Sequence, residues 1–290
     1  MSTTETTGTT GTTGTGTTAA TGAVPPRPFG GHDGRIGPRA TLRHVTALAR
    51  RNVLQIRQDP QSMFDVLLMP VVFTLLFVYV FGGALAGDRQ EYVNYVVPGL
   101  MAMMGLNIAM AVGTGVNDDV RKGVMDRFRT LPIARSSVLV ARVVVETGRL
   151  VVATVILLAV GLLLGLELRS GLPELLAAVG LSLAFGISLM WVFILLGLVL
   201  PGPQAVQGAA FTVLMPLQFG SSIFADPATM PDWLRSFTEV NPLSNLADAA
   251  RHLVNGEGAV AGPATVTLLW AVAITAVTAP PAVARFRRTG

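Results

Sequence analysis

Six stretches of the chain stay apolar over roughly the 20 residues an α-helix needs to cross a bilayer. They are Met63–Gly82, Val96–Val116, Val144–Leu166, Leu175–Leu200, Ala205–Phe224 and Pro263–Ala284. In lipid a helix satisfies its own backbone, so runs of this length and polarity predict six transmembrane helices. The fourth and fifth runs are separated by Pro201–Gln204, the sequence Pro-Gly-Pro-Gln, which no helix continues through. One helix through both would be about twice the length a bilayer requires, so the pattern predicts a hairpin.

Two polar stretches have a helical pattern of their own. In "TLRHVTALARRNVLQIR", ahead of the first span, Leu42, Val45, Ala49, Val53 and Ile56 share one face, and Arg43, Arg50 and Arg57 share another. This predicts a basic amphipathic helix over residues 40–60, lying in the membrane interface. The second stretch joins the second and third spans. Its acids Asp118, Asp119 and Asp126 stand three or four residues from Lys122, and Val120, Val124 and Phe128 form an apolar stripe. A short amphipathic helix over Asp118–Arg129 is expected, ending near Leu131-Pro132 because the residue before proline is pushed out of the α region. Ser136 or Ser137 then caps the next helix, expected from about Val138 to Leu166. At 1.5 Å per residue that helix is roughly 43 Å long. Its first turns, with Arg142, Glu146 and Arg149, therefore stand outside the hydrocarbon, spaced for ion pairing.

Composition agrees with a membrane class. Hydrophobic residues make up 51% of the 290 and charged residues 13%, with a mean hydropathy of +0.58. A soluble domain carries about 25% charged residues. The net charge of +4 and pI near 10.3 do not point to nucleic acid, because the basic residues flank apolar spans. Sixteen of the 21 Lys and Arg residues fall before the first span, between the second and third, or after the last. Arg89, Arg169, Arg235 and Arg251 fall in the alternate loops, and Arg149 lies at a membrane edge. The positive-inside rule therefore predicts both termini and the charged segment in the cytoplasm, with the loop Ala225–Gly262 outside. Residues 1–39 are rich in Thr, Gly and Pro, and are expected to form a disordered tail ahead of the membrane domain at 61–288.

The absence of cysteine rules out disulfides and thiol chemistry, and three scattered histidines offer no metal cluster. A phosphate-binding loop of the form G-x-x-x-x-G-K-[ST] would need a lysine in that motif. The single lysine, Lys122, is followed by Gly and Val. Any ATP is therefore expected on another chain, with no cofactor or catalytic residue here. An ion-coupled secondary transporter is the main rival, a membrane scaffold or sensor another. Proton relays place an ionisable residue at mid-membrane, whereas Asp65, Glu146 and Arg149 lie towards span ends. A membrane-embedded enzyme lacks a carboxylate pair or a nucleophile with its base. Polar residues within the spans are few: Asn107, Gln207, Thr212, Gln218 and Ser221. They either bond to neighbouring helices or line a substrate path, together with Met103 and Met104 from the methionine-rich second span. Pro216, Gly208 and Gly220 mark the fifth span as the one able to bend.

"DDVRKGVMDRFRTLPIARSSVLVAR", from Asp118 to Arg142, resembles the signature region of type-2 ATP-binding-cassette exporter permeases, nearest the daunorubicin-resistance branch. "EVNPLSNLADAAR", from Glu239 to Arg251, resembles that family's Asn-Pro-hydrophobic segment, with Asn241, Pro242 and Leu243 at the motif. The similarity extends over about residues 40–288. It implies an all-α integral membrane permease with six spans, an interfacial connecting helix, a cytoplasmic coupling helix and short external re-entrant helices. It also implies partners: an ATPase subunit holding ATP and Mg, a second permease copy or paralogue, and a small hydrophobic substrate exported through the plasma membrane. Asp118, Asp119, Arg121, Lys122, Gly123, Asp126, Arg127, Phe128, Arg129, Leu131 and Pro132 would form the ATPase-docking segment.

Overall fold

A computed structural model describes residue 68 and residues 70–82, 88–123 and 135–288. The tail, the expected interfacial helix and residues 124–134 of the charged segment lie outside these. Among the described residues every regular element is helical. The helices are α1 (Pro70–Val80), α2 (Arg89–Arg121), α3 (Arg135–Leu163), α4 (Leu172–Val199), α5 (Pro203–Phe219), α6 (Asp232–Val240), α7 (Pro242–Asn255) and α8 (Ala261–Arg288). Four of them, α2, α3, α4 and α8, are long and apolar enough to cross a membrane. The described part of α1 and the 17-residue α5 are shorter, at the places of the first and fifth expected spans.

Helix ends follow local chemistry. The Asp88 carboxylate accepts a 3.0 Å bond from the Gln90 amide and caps α2, with Glu91 in the first turn and Arg121 in the last, both favourable to the helix dipole. At the other end Lys122 and Gly123 break the helix, Gly123 at a φ of 67°. The amphipathic helix expected to start at Asp118 therefore does not: Asp118–Arg121 are the last turn of α2, and the break falls inside the expected range. Ser136 and Ser137 lie within α3, which is described from Arg135, rather than at a cap. Pro203 opens α5 immediately after the Pro201–Gly202 break, as the Pro-Gly-Pro-Gln pattern predicts. α5 stops at Phe219 rather than Phe224, which puts Ser221 in the following turn.

α2 is the central helix and packs against α3, α4, α5 and α7. In lipid there is little hydrophobic force between helices, so close approach of backbones holds them together. Glycines supply it between α2 and α4. A Cβ at Gly105 would lie 3.1 Å from the Gly186 Cα, and one at Gly113 only 2.5 Å from the Phe193 carbonyl oxygen. Leu100, Met101, Leu150, Leu157, Phe185, Met190 and Ile194 fill the surrounding core. α8 instead turns Leu269, Val272 and Val277 outward, the composition of a lipid-facing helix.

Candidate functional site

Two polar constellations tie the helices together, one at each end of α2. At its C-terminal end, Asn117 is buried and donates 2.8 Å and 2.7 Å bonds to the carbonyls of Gly197 and Leu200, the otherwise unpaired C-terminal acceptors of α4. Arg121 donates to the Pro201 carbonyl at 3.2 Å, so the last turn of α2 also holds the α4–α5 turn. Asp119 pairs with Arg142 of α3. Lys122 pairs with Asp118 at 2.6 Å in solvent, as their spacing predicts, and this bond raises the lysine's pKa. Glu146 and Arg149 form a 3.1 Å pair along α3 with little exposure. Gly123 and Arg135, which flank residues 124–134, thus belong to one cross-linked block of α2, α3 and α4.

At the N-terminal end of α2 the stretch after α5 folds into α6 and α7. The loop expected from Ala225 to Gly262 is largely helical. Asn241 caps α7 through a 2.9 Å bond from the Leu243 amide, with Pro242 at the first helical position. Its amide donates to the carbonyls of Leu217 and Gly220 at 2.7 Å and 3.0 Å, satisfying the end of α5. Thr238 of α6 adds a bond to the Gly220 carbonyl at 3.1 Å. Ten residues after Asn241, Arg251 is 8% exposed, and its charge is divided among three segments. It bonds to the Tyr95 carbonyl of α2 at 2.8 Å, to Asp248 at 2.7 Å, and to the carbonyls of Ser222 and Ile223. It also lies 3.7 Å over the Tyr95 ring, and the Tyr95 hydroxyl donates to the Ser222 carbonyl at 2.7 Å.

The predicted site residues fall as follows. Asp118, Asp119, Arg121, Lys122 and Gly123 cluster at the C-terminal end of α2, while Asp126, Arg127, Phe128, Arg129, Leu131 and Pro132 lie outside the described residues. Met103 and Met104 are buried in the core, and Asn107 is half-buried on α2. Gln207 and Thr212 are exposed on α5, where the Thr212 hydroxyl bonds back to Gly208, and Gln218 is buried near the C-terminal end of α5. These residues do not meet at one place. Arg251, read from sequence as an outward loop charge, is instead a buried hub; the Asp248–Arg251 spacing of three was the available signal. Asn117 and Tyr95 carried no signal in the sequence, since a lone Asn or Tyr at the edge of an apolar run makes no pattern.

Helices of membrane length and the Asn-Pro turn agree with the family that the sequence resembles. The family model for ABC-2 type transporters matches residues 43–254. The chain belongs to the ABC-2 type transporter family. This permease is 37% identical over 217 residues, 75% of each chain, to a daunorubicin resistance ABC transporter permease of Streptomyces coeruleorubidus. It is 28% identical over 194 residues, 63% of this chain and 66% of the other, to a doxorubicin resistance ABC transporter permease of Mycobacterium tuberculosis. The ABC-2 permease is a multi-pass membrane protein, and the resemblance to the daunorubicin-resistance branch is met by these relatives.

Proposed function

We propose that this chain is the transmembrane subunit of an exporter that moves a hydrophobic or amphipathic, drug-like molecule out of the cell. ATP and Mg are held by a separate ATPase subunit. That subunit docks on the charged segment 118–132, and a second permease copy or paralogue completes the pathway. The termini and the charged segment face the cytoplasm. Sequence similarity to permeases named for daunorubicin and doxorubicin resistance supports the substrate class, and the apolar span surfaces suit such cargo better than sugars or ions.

The observation that carries the mechanism is the Asp119–Arg142 pair. A segment tethered loosely between two spans would absorb a push from an ATPase. One whose two ends are bonded across α2 and α3, with Asn117 and Arg121 extending the block to the α4–α5 turn, passes a displacement to the membrane helices as a rigid movement. Charge-assisted contacts of about 1.5–3 kcal/mol each, shielded from water, would hold the ATPase at Arg127 and Arg129. Phe128 would fill its groove.

The test is charge reversal. Arg127→Glu with Arg129→Glu is expected to abolish co-purification of the ATPase subunit and substrate-stimulated ATP hydrolysis while leaving membrane insertion intact. Reversing Arg285, Arg287 and Arg288 is expected to leave both nearly unchanged. Equal behaviour of the two sets would reduce the segment to an orientation signal.

A further inference from the structure

The Arg251 constellation joins two parts of the fold that are otherwise held differently. α7 is packed among α2, α4 and α8 and belongs to the block. α5 finds its main neighbours in α2 and α4, and it contains Pro216 one turn from its outer end. Proline lacks the N–H that would bond to the Thr212 carbonyl, so the last turn of α5 is joined to the rest of its helix by one backbone bond fewer and can bend there with the turn 220–225. Two contacts restrain that swing: the Asn241 amide on the Leu217 and Gly220 carbonyls, and, beyond it, the seam at Ser222–Ile223. There the turn lies directly on the α2 backbone: a Cβ at Gly99 would stand 2.9 Å from the Ile223 carbonyl oxygen and 3.1 Å from Arg251 Nη2.

All but one of the bonds across the seam have neutral acceptors. Arg251 and the Tyr95 hydroxyl both donate to the Ser222 carbonyl, Arg251 reaches the Ile223 carbonyl at 3.1 Å, and the Ser222 amide donates to Ser244 Oγ at 3.1 Å. Asp248 accepts from Ser222 Oγ at 2.8 Å while holding Arg251 on its own helix. Neutral carbonyl acceptors are readily replaced by water, whereas the Asp248 pair stays within α7. The cluster is therefore built to release the turn without stranding the arginine: when the turn lifts, entering water takes the carbonyls' place.

Resting on the exporter reading above, we propose that Arg251 is the positioning residue of a latch between α2–α7 and the α5–α6 turn, and that this latch opens in each transport cycle to let cargo leave on the outer side. Tyr95 and Ser222 set its resting geometry.

Two measurements test it in the full complex with its ATPase, reconstituted in liposomes; the chain has no cysteine to interfere. In the first, Ser222→Cys with Ser244→Cys is oxidised to a disulfide across the seam. ATP-driven daunorubicin transport is expected to fall at least tenfold and to return on reduction. Transport by the oxidised form at the reduced form's rate would overturn the latch. In the second, spin labels on cysteines placed at Ser236 of α6 and Leu172 of α4 report distance. Trapping the ATPase with nucleotide and vanadate is expected to lengthen it by several ångströms. Arg251→Lys, which keeps the charge but loses the forked donors, is expected to broaden it at rest. An unchanged distance on trapping would overturn the proposal even if daunorubicin proves not to be a substrate. Absence of any daunorubicin transport or substrate-stimulated hydrolysis in the unmodified complex would instead count against the exporter reading.

Discussion

Arg142 of α3 donates to the Asp119 carboxylate of α2 across 23 residues of chain, closing the charged segment into a loop with fixed ends. Both side chains are about one quarter to one third exposed, so the pair contributes no more than about 1 kcal/mol to stability. Its value lies in geometry. Asp119→Arg or Arg142→Asp alone is expected to lower substrate-stimulated ATP hydrolysis several-fold with little change in melting temperature. The double exchange is expected to restore most of it. Assay of the three variants beside the parent checks this, and failure of the exchange to rescue would remove the pair from the coupling route.

Glycine at the α2–α4 contact is a packing requirement. A Cβ at Gly113 would lie 2.8 Å from the Phe193 Cβ and closer still to its backbone oxygen, and one at Gly197 would press on the Gly113 carbonyl. Gly113→Ala and Gly197→Ala are each expected to cost about 1–3 kcal/mol by forcing the helices apart. Gly180 on the same helix has nothing within 4 Å of such a Cβ, so Gly180→Ala is expected to be neutral or stabilising by up to about 1 kcal/mol. Thermal unfolding in detergent separates these outcomes.

Asn241 caps one helix and closes another. Asn241→Ala removes the cap, worth about 1 kcal/mol, and two bonds to α5 carbonyls worth about 0.5–1.5 kcal/mol each. A loss of about 2–4 kcal/mol is expected. Asn241→Ser keeps a capping oxygen but cannot reach Leu217 and Gly220, so it should lose roughly half as much. The same melting experiment ranks the two, and no loss in Asn241→Ser would show that the α5 bonds contribute nothing.

Orientation is open to labelling. With Ser236 exposed on α6, a cysteine placed there is expected to react with a membrane-impermeant maleimide in intact cells. One placed at Lys122 is expected to react only after permeabilisation. The reverse pattern would invert the proposed topology.

The sequence by itself determined the class of this protein and where most of its helices lie. Length and apolarity are one-dimensional properties, and lipid leaves a chain no choice but to bond its backbone internally, so the spans at α2, α3, α4 and α8 are legible without coordinates. Punctuation was equally local: Pro201–Gln204 breaks the helix where it stands, and Asn241-Pro242 starts one. Helix ends were legible only in part. Nothing in Asp118–Arg121 says whether it prolongs α2 or opens a new helix, because a polar turn suits both; the turn at Lys122–Gly123 decided it. Partnership was decided only in three dimensions. Asp119 has Lys122 at an ideal spacing, yet it pairs with Arg142, because the crossing of α2 and α3 puts that guanidinium beside it. Arg251 looks like any loop arginine in sequence, and burial against the backbones of two other segments is what makes it a hub. Bonds to main-chain carbonyls leave no trace in the sequence of the residues that accept them, since every residue has a carbonyl.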